Sequence, residues 1–285
     1  MSQATGSQTT GQTSMPQPRV INGSRYLIEG EGHPIVLIHG VGMDLTMWDA
    51  LAALLRRSHR VIRYDMLGHG ESRKPAGPYR LADFVAQLSS LAADLGLPAF
   101  DLVGFSMGGL IAQAFALSEP DRVRRLVLVN TVFNRTPEER RAVNARVDEV
   151  RSGGYAASVA AAIDRWFTPS FRAGQADVVE SVRRHMMNND LDAYAAAYAV
   201  FGNADAELVD RVAAIRQPSL VITGADDQRS TAFMARALAT CLPAARLDII
   251  DGQRHLTPLE VPERLAASID RFLSLPDQQA AQAAS

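Results

Sequence analysis

A serine stands at the centre of the stretch Gly104-Phe105-Ser106-Met107-Gly108, where an apolar run ends and a run with helical spacing begins. This pattern predicts a strand, a one-residue turn and a helix, with Ser106 in the turn. Such a turn holds its central residue in a strained backbone conformation, and flanking glycines leave the space that it needs. The turn would also expose the Ser106 hydroxyl above the edge of a sheet, which makes Ser106 a candidate nucleophile.

A serine hydroxyl is a weak nucleophile near neutral pH, so it needs a base beside it and an acid that orients the base. Two later stretches provide these groups, each directly after a predicted strand. Asp226 and Asp227 follow the apolar run 219–224, and His255 follows the run 246–251. We therefore expect Ser106, one of the two aspartates and His255 to meet at the carboxyl edge of one sheet.

The third requirement is a pair of backbone donors for the negative oxygen that forms when serine attacks a carbonyl. The glycine-containing turn 39–42 follows a continuous apolar strand and is placed to bring the amide of Val41 toward that of Met107. These two amides are the predicted oxyanion hole. His39 is expected to be buried and to fix this turn through hydrogen bonds.

Strands alternating with helices predict the scaffold, an α/β fold with a mainly parallel, eight-stranded sheet covered by helices on both faces. Asn22-Gly23 predicts a hairpin at its start. The core is predicted over 18–135 and 217–275. Between them, residues 136–216 show only helical segments, about four, with breaks that include Gly202; this helical cap (lid) would lie over the carboxyl ends of the strands. Residues 1–17 and 276–285 are predicted to be disordered tails.

Composition limits the class of protein. Of the 285 residues, 47% are hydrophobic and 21% charged, with a net charge of -2, which is typical of a globular protein and argues against a nucleic-acid partner. No apolar run is long enough to span a membrane. The single cysteine, Cys241, is expected to fill the core, and a cytoplasmic location is expected. We expect a small-molecule ester or lactone as partner, no cofactor and no metal, and leave a homo-oligomer open.

The motifs together resemble those of the α/β-hydrolase superfamily over residues 19–275: the turn 39–42, the turn 65–72, the stretch 104–109, the G-x-x-D of 224–227 and a late His-Leu. Within it the chain is most similar to 3-oxoadipate enol-lactonases, at 44–49, 63–65, 77–79, 165–171 and 255–263. The resemblance implies a catalytic triad of Ser106, Asp227 and His255, since the family places its acid three residues after the glycine. It also implies hydrolysis of a small cyclic enol ester that bears carboxylates, as in aromatic compound catabolism.

A carboxylate in an apolar pocket requires a cation, so arginines of the cap region are candidate substrate ligands. Arg165 and its neighbour Trp166 are the two predicted substrate-binding residues, with surface exposure and core packing as their alternatives. Arg135, Arg229 and Arg254 are further candidates by position. Other activities remain open with the same triad: a C–C bond hydrolase of ring-cleavage products, a perhydrolase, or a non-catalytic, receptor-like member of the fold.

Overall fold

A computed structural model describes residues 17–276, so the predicted tails lie almost wholly outside the described residues. Its centre is one sheet of eight strands in the order β1-β2-β4-β3-β5-β6-β7-β8. The strands are β1 (Arg19–Ile21), β2 (Ser24–Glu29), β3 (His33–Ile38), β4 (His59–Tyr64), β5 (Phe100–Phe105), β6 (Val123–Val129), β7 (Ser219–Gly224) and β8 (Ala245–Ile250).

The sheet is parallel from β4 through β3 to β8, and only β1 and β2 run antiparallel to their neighbours. The hairpin between them turns at Asn22 and Gly23, whose φ angles are 49° and 75°. Positive φ at both central residues matches the right-handed twist of the flanking strands, which is why Asn-Gly predicts this turn. The prediction of a mainly parallel eight-stranded sheet is confirmed.

Helices of the core cover the sheet on both faces, since every residue of β5 and of β7 is buried. Helix α1 packs against α11, and α2 packs against α3. The core helices are α1 (Asp49–Leu55), α2 (Leu81–Asp94), α3 (Met107–Ser118), α9 (Ala232–Cys241), α10 (Thr257–Glu260) and α11 (Pro262–Leu273); short 3₁₀ turns occupy Leu45–Trp48, Pro120–Arg122 and Val212–Ala214.

Between β6 and β7 the chain forms five helices rather than about four: α4 (Pro137–Arg151), α5 (Tyr155–Trp166), α6 (Pro169–Gly174), α7 (Ala176–Met187) and α8 (Leu191–Leu208). We call residues 136–216 the cap. The expected break at Gly202 is wrong, because α8 runs through it. There α8 crosses α4 so closely that a Cβ on Gly202 would lie 2.5 Å from Asn144 Oδ1. Gly202 serves helix packing and does not end a helix.

The core extends across the sheet and into the cap, with Trp48, Phe84, Phe100 and Phe115 fully buried. Cys241 does not belong to it, and the expectation that it fills the core is wrong: its side chain is exposed. The buried face of α9 is formed by Met234, Ala235 and Leu238. The helix ends at Cys241, and Leu242 takes the next buried position.

Candidate active site

Ser106 lies between the end of β5 and the start of α3, with φ 53° and ψ -113°. Residues with a Cβ rarely adopt this conformation, and neighbouring groups must hold it in place. The Ser106 amide donates to the Val129 carbonyl at 2.9 Å, and the Thr131 hydroxyl donates to the Ser106 carbonyl at 2.8 Å. Within residues 17–276 the Ser106 hydroxyl itself has no hydrogen-bond partner. It faces a cavity.

The two glycines that flank this turn are required by close backbone contacts. A Cβ on Gly104 would lie 2.2 Å from the carbonyl oxygen of Gly108, and a Cβ on Gly108 would lie 2.3 Å from that of Ile38. No real Cβ can tolerate such distances, so both positions must be glycine for the turn to form. The second contact also brings the end of β3 against the start of α3.

His255 lines the same cavity as Ser106 and is buried. Its Nδ1 lies 2.6 Å from Asp227 Oδ2. The imidazole packs between two aromatic rings, with centroid separations of 4.9 Å to Phe105 and 5.8 Å to Trp166. Because an ionised carboxylate only accepts hydrogen bonds, Nδ1 carries the proton in this pair, which leaves Nε2 as the ring's acceptor.

Asp227 is held by four donors. Besides His255, Asn130 donates to its Oδ2 at 2.9 Å, and the amides of Arg229 and Ser230 donate to its Oδ1 at 2.9 and 3.0 Å. Burial by itself would raise the pKa of Asp227, but the charge of His255 and these hydrogen bonds outweigh it and hold the pKa below its ordinary value. Asp226 is exposed and does not join this network.

Asn130 also belongs to the network, although the sequence analysis did not select it. It follows β6, has a φ of 47° and is fully buried. Its Nδ2 donates to Asp227, while its Oδ1 accepts from the Thr257 hydroxyl at 2.7 Å. The available signal was a side-chain amide at the end of an apolar strand. That the amide reaches Asp227 follows only from β6 and β7 being neighbours in the sheet.

The predicted oxyanion turn lies against Ser106. A Cβ on Gly40 would be 3.3 Å from Ser106 Cβ, and Val41 lines the cavity. Met107 is buried as the first residue of α3, where helical N–H groups have no partner within the helix. The cap also contacts this turn, since the side chain of Asn189 donates to the Gly42 carbonyl at 2.9 Å.

His39 is buried beneath this turn as a structural residue. Its Nδ1–H donates to the Gly40 carbonyl at 2.8 Å, and its Nε2 accepts from the Met66 amide at 2.9 Å. Both ring nitrogens are occupied in the neutral form. Burial lowers the pKa of His39 from 6.5 to about 4. The ring therefore connects the turn after β3 with the turn that follows β4.

The cavity above Ser106 has a volume of about 870 Å³, part of which is open to solvent. The cap forms most of its wall through aromatic and aliphatic side chains, among them Trp166, Tyr194, Tyr198, Phe201, Val159 and Met186. Both predicted substrate-binding residues, Trp166 and Arg165, line it. So do Arg135, Arg229 and an arginine that the sequence did not single out, Arg146.

Arg254 is absent from the cavity wall. Its guanidinium donates to the carbonyls of Asp164 and Phe167, at 2.8 and 3.1 Å, and thereby fastens the His255 loop to the end of α5. The position four residues after β8 could not distinguish this anchoring role from ligand binding. Within residues 17–276 there is no helix that could span a membrane and no group of three or more potential metal-ligating side chains.

Known proteins resemble this chain over nearly its whole length. A family model described as the alpha/beta hydrolase fold matches residues 33–262. The chain is 33% identical over 254 residues to (E)-2-((N-methylformamido)methylene)succinate hydrolase of Acinetobacter baylyi, with 88% of this chain and 94% of that protein covered. It is 30% identical over 278 residues to 2-hydroxymuconate semialdehyde hydrolase of Pseudomonas putida, with 87% and 90% covered. The crystal structure of the enol-lactonase from Burkholderia xenovorans superposes with a TM-score of 0.82 at 30% identity, covering 91% of this chain and all of that one.

Proposed function

The chain belongs to the α/β-hydrolase family, and on that premise we propose that it is a serine hydrolase that cleaves a small carboxylic ester or enol-lactone through an acyl-enzyme. One observation carries this proposal. The Ser106 hydroxyl, which has no hydrogen-bond partner within residues 17–276, faces the cavity that His255 also lines. Asp227 holds Nδ1 of that imidazole. Strained backbone clusters at functional sites, and here the strained serine shares a cavity with a buried, oriented base.

In the proposed reaction, Ser106 Oγ attacks the substrate carbonyl while His255 Nε2 takes the hydroxyl proton. Asp227 holds the imidazole in the required tautomer and stabilises its charged form. The amides of Val41 and Met107 donate to the tetrahedral oxyanion. His255 then gives the proton to the leaving oxygen. Water, deprotonated by the same imidazole, attacks the acyl-enzyme and releases the carboxylic acid with Ser106 restored.

An enol ester suits this mechanism because its leaving group, protonated by His255, departs readily as an enol that tautomerises to a ketone. The chain's similarity to the enol-lactonase of Burkholderia xenovorans supports this substrate class. The size of the cavity and its largely apolar wall support a small substrate rather than a polymer. We also propose a cytoplasmic location, which the single cysteine supports.

The direct test is covalent labelling of the full-length protein with a fluorophosphonate, together with turnover of p-nitrophenyl acetate and a panel of five-membered lactones. We expect stoichiometric labelling, loss of labelling in Ser106→Ala, and retained labelling in Ser158→Ala, which removes a different hydroxyl of the cavity wall. An unlabelled wild-type protein would favour the receptor-like alternative. Labelling on another serine would overturn the assignment of the nucleophile.

A second candidate is hydrolysis of a C–C bond in a ring-cleavage product. It is favoured by the 30% identity to 2-hydroxymuconate semialdehyde hydrolase of Pseudomonas putida. The same panel separates the two, since only a C–C hydrolase consumes a vinylogous 1,5-diketone acid. Adding hydrogen peroxide tests a perhydrolase, which would form peracid from a short carboxylic acid.

A further inference from the structure

Four arginines line the cavity above Ser106, and one of them is already neutralised. Arg135 lies 3.0 Å from Asp205 Oδ1, donates to the Phe201 carbonyl at 2.8 Å and stacks on the Phe201 ring at 4.3 Å. Asp205 also pairs with Arg140 at 2.9 Å. Arg135, which lies just before α4, is thus bound to α8 and is not available for a ligand.

The other three, Arg146, Arg165 and Arg229, have no carboxylate partner among residues 17–276. The side chain of Arg146 makes one weak hydrogen bond, to the Tyr198 hydroxyl at 3.5 Å. The Arg165 Nε is buried and unsatisfied. The side chain of Arg229 has no hydrogen bond or ion pair within the described residues. We call these three residues the arginine cluster.

The members of the cluster repel one another. Burial lowers the pKa of Arg165, and the charges of Arg146 and Arg229 lower it further; burial and Arg146 do the same to the pKa of Arg229. Arginine nevertheless stays protonated at neutral pH. The one acidic residue of the cavity wall outside the triad is Glu139, whose carboxylate accepts the Thr136 amide at 2.8 Å. Asp164 also acts on Arg165, but it is paired with Arg172. Glu139 can therefore offset one of the three guanidinium charges, and two remain.

Partly desolvated like charges that exceed their counter-ions destabilise a fold, so a structural role does not explain the cluster. An anion in the cavity would explain it. The planar guanidinium binds a carboxylate through two parallel hydrogen bonds, and such bonds strengthen where water is excluded. The cluster is also drawn from three different elements, α4, α5 and the loop that carries Asp227. A ligand with two separated negative groups could contact all three.

We propose that the arginine cluster binds the two carboxylates of a dicarboxylic substrate, whose scissile acyl group then lies at Ser106. This inference rests on the proposed hydrolase function and specifies its substrate class. Arg165 lines the same cavity as Ser106 and His255, so one carboxylate site shares the space of the reacting centre. Arg229 is the exposed member of the cluster.

The test is calorimetric titration of the full-length protein with succinate, glutarate and adipate, and with monomethyl glutarate and inorganic phosphate as comparison ligands. We expect at least one dicarboxylate to bind about tenfold or more tightly than monomethyl glutarate, because one charge-assisted contact is lost in the monoester. Arg146→Gln and Arg165→Gln should each weaken dicarboxylate binding by about tenfold or more. Arg141→Gln is the matched control, since Arg141 lies exposed on the same helix as Arg146 and pairs with Glu138.

Equal affinity for the dicarboxylate and the monoester, full affinity in the Gln variants, tighter binding of phosphate, or no binding of any dicarboxylate would each overturn the inference. These outcomes do not depend on catalysis. If p-nitrophenyl acetate is hydrolysed and no dicarboxylate binds, only the substrate class is wrong. If dicarboxylates bind but Ser106 is neither labelled nor active, the hydrolase function is wrong and the anion site stands.

Discussion

The backbone amide of His255 donates to the carbonyl of Trp166 at 3.0 Å, so the cap holds the loop of the proposed base directly. Leu256 donates to the same carbonyl at 3.2 Å, and the two bonds from Arg254 lie beside them. The cap therefore does more than cover the cavity. It contributes to the position of the imidazole relative to Ser106.

The loop of His255 should loosen when this anchorage is weakened. Arg254→Gln removes the donors to Asp164 and Phe167, and we expect hydrogen exchange at the His255 and Leu256 amides to accelerate by about tenfold or more. Arg264→Gln is the control, because Arg264 is bound to Asp248 away from the cap. Unchanged exchange in Arg254→Gln would mean that the Trp166 carbonyl alone fixes the loop.

The two neighbouring aspartates should differ sharply in kinetics. Asp227→Asn loses the charge and the acceptor that fix the His255 tautomer, and we expect kcat/KM for p-nitrophenyl acetate to fall by about 10³-fold or more. Asp226→Asn changes an exposed side chain and should stay within about twofold of wild type. The reverse ranking would assign the acid to Asp226.

Asn130 should act through Asp227 as a positioning residue. Asn130→Gly keeps the positive φ of this position but removes the donor to the carboxylate, and we expect kcat to fall by about 10- to 100-fold, with KM little changed. In an Asp227→Asn background the same change should add almost nothing. Additive losses in the double variant would show that Asn130 affects activity by another route.

The backbone strain at Ser106 should lower the stability of the folded protein. Glycine tolerates positive φ, whereas alanine keeps the Cβ that causes the strain, so we expect Ser106→Gly to unfold at higher urea concentration than Ser106→Ala. The strain costs on the order of 1–3 kcal/mol, which exceeds the about 0.5–1 kcal/mol that glycine loses through chain entropy. A more stable Ser106→Ala would mean that the turn is relaxed.

Acid should destabilise the protein through its buried histidines. His39 stays neutral in the native state until about pH 4, while in the unfolded chain it takes up a proton below about 6.5. The contribution of His39 to stability is therefore fully present above pH 6.5 and is lost as the pH falls toward 4, by about 3 kcal/mol. Urea midpoints for wild type and His39→Gln across this range test it. Burial also lowers the pKa of His69, to about 3, so the urea midpoint of the variant should still fall somewhat with pH. An equal dependence of the midpoint on pH in wild type and variant would contradict the prediction for His39.

The sequence predicted the parts of the site that depend on local backbone geometry. The glycines around Ser106 carry their own spatial requirements, so this turn follows from spacing alone. The choice of Asp227 over Asp226 came instead from the resemblance to α/β-hydrolases. Asn130 and Arg146 could not be found in this way. Asn130 depends on two strands distant in sequence lying side by side, and Arg146 lies in a helix rich in charged residues, where only the packing of α4 on α8 decides which arginine faces the cavity.

Helix α8 has a consequence for protein engineering. The chain leaves the sheet at the carboxyl end of β6 and must return to the amino end of its parallel neighbour β7, on the opposite rim. Helix α8 makes this crossing: its Tyr194, Tyr198 and Phe201 face the cavity, and it packs on α3. Truncated, lidless enzymes should therefore fold only if they keep α8 as the connecting crossover. Redesign of the cavity is better directed at α4 through α7, provided that the end of α5 is kept, because the Trp166 carbonyl holds the His255 loop.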